Sequence, residues 1–168
     1  IAISLLLISA LFIAKNILLA KICWISGTIF IALLCYLSVY KWINNSQSLH
    51  TLSPPWIIPV VGSLDVAIAG VKLHYYYISL FFTSIGLIFG LVLFTLIFYR
   101  IIFYRIIFHE QLPYKLQPSF LILSAPFSVG VSAYLEFSKN FDFFAFSLFN
   151  FSLFLILVIV SKIVLLKD

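Results

Sequence analysis

Serine hydroxyls recur at four-residue spacing at Ser124, Ser128 and Ser132, within the apolar part of the stretch Leu112–Phe137. On a helix that spacing gathers them into one small polar stripe. Hydroxyls of this kind donate hydrogen bonds to a passing anion without the strong trapping a lysine would cause. Small residues at the same spacing also let membrane helices pack closely, and on this helix alone both readings stand. Pro126 lies in the middle of the run, where a proline leaves the carbonyl four residues back unpaired and kinks the helix. In hydrocarbon such a kink is best tolerated against other helices or a watery cavity. A second stretch repeats the theme: Pro59, Gly62 and Ser63 follow the entry prolines Pro54 and Pro55. The two stretches together are expected to supply helix kinks and the lining of a permeation path.

Asp65 is the one acid well inside an apolar run. A carboxylate at membrane depth is costly and marks a functional site by default. Helical geometry, however, sets it well off the Pro59–Ser63–Val66–Gly70 face. It is therefore read as structural, either protonated or hydrogen-bonded to a neighbouring helix, with its role open. Other chemistry is sparse. His50, His74 and His109 fall in three different loops, and the chain has no HExxH or CxxC spacing and no glycine-rich phosphate loop. The adjacent His109 and Glu110 read as interfacial. No enzymatic constellation, metal site or cofactor is expected.

These residues need a membrane scaffold to position them. Hydrophobic residues make up 64% of the chain and charged residues only 9%, and apolar runs recur along its whole length. Soluble domains carry roughly 25% charged residues, so a polytopic all-α membrane protein is expected. The net charge of +5 is spread over loops, without the basic cluster that nucleic acid would require. Cys23 and Cys35 lie on one predicted helix, roughly 18 Å apart, and cannot bridge one another. The apolar start at Ile1 and the absence of methionine lead us to expect an internal stretch of a longer protein.

Six apolar segments are predicted as transmembrane helices of a single domain spanning 1–168, at about 1–14, 22–40, 55–71, 75–99, 118–136 and 143–161. Lys15, Asn16 and Lys21 bound a tight first connection, and Tyr40, Lys41 and Trp42 form an interfacial cluster. Segments three and five are short and carry interior prolines; segments four and six are longer, continuous and aromatic-rich. The pattern is an inner kinked helix followed by an outer straight one, repeated as hairpins. Gly86 and Gly90 in the fourth segment, extended by Ser79 and Thr83, read as a helix-packing seam. The pentapeptide FYRII occurs twice, at 98–102 and 103–107, and reads as a local duplication lengthening a helix end. One membrane face receives Lys15, Lys21, Lys72 and Lys139; the other receives Lys41, Arg100, Arg105, Lys115, Lys162 and Lys167. The positive-inside rule places the second face, and the start of the first segment, in the cytoplasm.

With SPPWIIPVVG at 53–62 and FHEQLPYKLQPSFLILSAPFSVGVSAYL at 108–135 in view, the chain resembles the tellurite-resistance and dicarboxylate transporter family, which includes the slow anion channels of plant guard cells. The resemblance runs over nearly the whole chain and implies ten helices, as five hairpins around a quasi-fivefold axis, in a protein that is usually a trimer. It assigns the six segments to family helices three to eight, with segments one, three and five lining the pore and Pro59 and Pro126 at kinking positions. The first segment lacks a proline and departs from that pattern. The resemblance also implies that the helix bearing the family's gating phenylalanine lies outside this chain. The expected function is part of an anion channel or anion-efflux transporter in the plasma (inner) membrane. It would pass chloride, nitrate, sulfite or a dicarboxylate such as malate, with membrane lipid around it and no cofactor or nucleic acid. A non-conducting polytopic scaffold or assembly subunit is the alternative.

Overall fold

The computed structural model describes residues 1–46, 52–107 and 114–165, and every regular element among them is helical. His50, His109 and Glu110 lie outside the described residues. The elements are α1 (Ala2–Phe12), α2 (Ile17–Asn44), α3 (Ile58–Val61), α4 (Asp65–Gly70), α5 (Tyr76–Ile107), α6 (Ala125–Ser138) and α7 (Phe143–Leu165). Segments three and five are entered through 3-10 helix, over Pro54–Ile57 and Tyr114–Ser124 respectively. The fold is that of an all-α polytopic membrane protein.

Among the described residues, four stretches are long and apolar enough to cross a membrane: Ile17–Asn44, Tyr76–Ile102, Ser119–Ser138 and Phe143–Ser161. The expectation of six spans is therefore met by length in four. The 11 residues of α1 rise only about 16 Å, roughly half a hydrocarbon core. The apolar stretch Pro54–Gly70 is also short, and it is not one continuous helix. α2 begins at Ile17, so Lys21 lies inside the helix and the first connection is shorter than its charges suggest. Asn16 starts α2 by accepting a hydrogen bond from the Leu19 amide at 3.1 Å. α5 continues through both copies of FYRII to Ile107.

Three hairpins result. α1 packs along α2, α4 against α5, and α6 against α7; across hairpins, α1 meets α4 and α4 meets α6. The short helices thus form one row, with α4 in its centre. α2 also touches α3 and α4, and α5 also touches α6, so α2 and α5 each cover a joint in the row. The outer surfaces of α2, α5 and α7 carry Ile29, Phe30, Leu33, Phe81, Ile88, Leu91, Phe146, Phe154 and Leu157, all exposed, as lipid-facing walls require. Asp142 caps α7 by accepting from the Ala145 amide at 3.0 Å, and it also accepts from the Tyr134 hydroxyl at 2.6 Å. The first of these bonds, seconded by the other, holds its carboxyl below the usual aspartate range.

Candidate functional site: the row of short helices

Segment three changes winding at its centre. The Ser63 amide donates to Val60 and the Leu64 amide to Val61, in i to i−3 bonds of 3.1 and 2.9 Å, before α4 starts at Asp65. The tighter winding turns the Ser63 amide away from the Pro59 carbonyl. That carbonyl accepts instead from the Cys35 thiol of α2 at 2.9 Å, an outside partner of the kind a broken helix needs in hydrocarbon. Gly62 permits the approach of α2: a Cβ there would stand 2.7 Å from the Ile31 side chain. The Ser63 hydroxyl is fully buried and shared between the Val60 carbonyl at 2.6 Å and the Phe82 carbonyl of α5 at 2.9 Å. Trp24 of α2 donates its indole N–H to the Val66 carbonyl at 2.9 Å and stacks on Tyr75 with ring centroids 4.5 Å apart. The Ser63–Val66–Gly70 side of the segment is therefore taken up by the long helices.

Asp65 lies away from that side, on a line with Ile58 and Ile68 at helical spacing. Ile58 is exposed and Ile68 half-buried, while Asp65 itself is 8% exposed. Of the two structural readings of Asp65, protonated or hydrogen-bonded to a neighbouring helix, the second finds no donor: the carboxylate has no hydrogen bond or ion pair among the described residues. The serine-bearing face of the segment, from which Asp65 is turned away, is packed against α2 and α5.

In segment five, Pro126 is the second residue of α6, at the point where 3-10 winding gives way to α. Its missing N–H is there one of the donors a helix start leaves unpaired in any case, so the change of winding replaces the interior kink expected from sequence. Pro126 is buried and lies against Gly90 of α5; a Cβ on Gly90 would be 3.0 Å from its ring. Phe127 packs edge-to-face with Phe94 of α5 and Phe151 of α7, at centroid distances of 5.0 and 4.6 Å. The three serines do not share one environment. Ser124 is buried and donates to the Leu121 carbonyl at 2.8 Å, whereas Ser128 and Ser132 are exposed. Leu121, Ser128 and Ser132 are exposed and Ala125 is half-buried, so the uncovered side of the segment leaves Ser124 out.

Of the residues singled out in the sequence, Pro59, Gly62, Ser63 and Pro126 thus meet neighbouring helices, and Ser128 and Ser132 are exposed. Cys35 and Trp24 are structural partners that sequence reasoning missed. A lone tryptophan inside an apolar helix is the available signal for the second, since a buried indole N–H needs an acceptor. Among the described residues no group of histidine, cysteine and acidic side chains could hold a metal ion.

A family model described as voltage-dependent anion channel (SLAC1) matches residues 1–167. The chain belongs to the voltage-dependent anion channel family. No curated protein matches it. Membership of this family agrees with the resemblance drawn from the two proline-bearing motifs. It makes the chain an integral membrane protein of an anion-transport family, not of an enzyme family.

Proposed function

We propose that this chain forms part of the wall of an anion pore and that the row of short helices borders the conduction path. One observation carries the reading: Ser128 and Ser132 are exposed on a helix whose other sides are packed against α5, α7 and segment three. In a family of anion channels, an uncovered hydroxyl-bearing side on an otherwise enclosed helix fits a lumen better than lipid. Ile58, Asp65 and Ile68 would border the path from segment three. Pro59, Gly62, Ser63, Ser124 and Pro126 would shape it by setting the winding and approach of the two segments. The substrates would be small anions such as chloride, nitrate or sulfite, or a dicarboxylate such as malate. The complete protein would place three such hairpins within a ten-helix bundle, as a homotrimer in the plasma (inner) membrane.

The test is chloride flux through the full-length protein in liposomes, read beside the yield of folded protein. Ser128→Leu should cut flux by about tenfold or more while folding normally, and Ser128→Ala should mainly change the preference among anions. Unchanged flux in a normally folded leucine variant would remove Ser128 from the path. Absence of anion flux in the wild-type protein would favour the scaffold reading.

A further inference from the structure

Beyond the serines, the same side of α6 ends in a charged cluster. Glu136 continues the four-residue series Ser128, Ser132, and its two carboxylate oxygens are engaged by lysines from two hairpins. Lys72, just beyond α4, places Nζ 2.8 Å from Oε1; Lys139, just beyond α6, places Nζ 3.1 Å from Oε2. Both lysines stand at chain reversals. Lys139 itself is in the left-handed conformation at φ 56°, and His74, two residues after Lys72, has φ 67°. Such residues close helices, so each lysine sits where its short helix turns back into a long one. The side chain of Glu136 is only 16% exposed, against 47% for Lys72 and 62% for Lys139.

An ordinary surface ion pair contributes little and places both partners in water. Here the carboxylate is largely enclosed while both ammonium groups reach solvent. Each ammonium has three donors and spends one on Glu136, so two cations keep unspent donors around a single carboxylate. The three charges sum to +1. This is the composition of an anion site already filled by an anion on a tether.

We propose that Lys72, Glu136 and Lys139 form an anion-exchange clasp at one mouth of the conduction path, in which small inorganic anions displace the Glu136 carboxylate from its two lysines. The proposal rests on Ser128 and Ser132 bordering that path. An arriving anion takes up the free lysine donors first and then replaces Glu136. Departure of the anion restores the internal pair, which keeps the site from holding its cargo. The clasp would thus set the chloride concentration at which the path half-saturates.

Chloride flux through the full-length protein in liposomes, measured from 10 mM to 1 M chloride, tests this. Glu136→Gln leaves an unopposed dibasic site and should lower the half-saturating chloride concentration. Lys72→Gln should raise it. Each shift should be about threefold to tenfold, the scale of one unit charge a few ångströms away in water. If Lys72→Gln does not fold, Lys139→Gln, at the more exposed lysine, should show the same rise. A merely structural brace predicts that all these variants lose thermal stability and move the half-saturating concentration together or not at all. That result, with Ser128→Leu still blocking flux, would overturn the clasp and leave the pore reading standing. Unchanged flux in folded Ser128→Leu would overturn the pore reading and the clasp with it.

Discussion

Asp65 and Ser63 are two residues apart and occupy opposite situations. Ser63 spends its hydroxyl on the Val60 and Phe82 carbonyls, tying segment three to α5. Asp65 is buried too, though 8% exposed against 0% for Ser63, and no donor reaches its carboxylate among the described residues. A buried polar group without a partner costs about 1–3 kcal/mol, and more if it is charged. Proteins keep such costs where function requires them, so neutral replacement should stabilise this site at the expense of transport. Asp65→Asn preserves size and removes the charge. It should therefore raise the melting temperature of the detergent-solubilised protein by about 2–4 °C for each kcal/mol relieved, while changing anion flux. A fall in melting temperature with unchanged flux would return Asp65 to the buttress role that its spacing suggests.

Between helices, the seam on α5 shows what glycine contributes. Gly86 faces Leu64 and Ser63 of segment three, and Gly90 faces Pro126 of α6, so one GxxxG pair serves two neighbours. A Cβ at Gly86 would come within 2.6 Å of both Leu64 and Ser63, whereas at Gly90 the nearest atom is 3.0 Å away, on a proline ring. Gly86→Ala should accordingly lower thermal stability by about 1–3 kcal/mol. Gly90→Ala should cost less, because there the helix propensity that alanine returns at either site, up to about 1 kcal/mol, is set against a milder contact. Equal losses in the two variants would show that the seam is looser at Gly86 than these distances require. The seam is legible in sequence because glycine at i, i+4 has few other uses in an apolar helix. The break between α3 and α4 is not. Gly62 and Pro59 announce irregularity, but 3-10 and α winding differ by only about 20° per residue, too little for apolar periodicity to resolve over so short a segment. Spacing alone likewise places Ser124 on one stripe with Ser128, although Ser124 is buried and Ser128 exposed.

Across the whole molecule, the alternation of short and long apolar segments predicts the row of short helices and the covering long ones, because length and proline content are properties of sequence that packing does not alter. Which side of each short helix is left uncovered depends on contacts between hairpins, and no local pattern encodes those. Sidedness in the membrane is another property of the whole chain. The three short turns, with Lys15, Lys72 and Lys139, follow α1, α4 and α6, while Lys41 lies near the far end of α2. If the positive-inside bias of six basic residues against four decides orientation, the turns face outward and Lys41 faces the cytoplasm. A background without native thiols is needed to test this. Cys35→Ser keeps a donor for the Pro59 carbonyl, and Cys23 is only half-buried, so Cys23→Ser should be tolerated. In that background, Lys15→Cys and Lys139→Cys should react with a membrane-impermeant maleimide applied to intact cells, and Lys41→Cys only after permeabilisation. The reverse pattern would invert the orientation and move the Lys72–Glu136–Lys139 clasp to the cytoplasmic mouth, where it would meet anions leaving the cell instead of anions entering it.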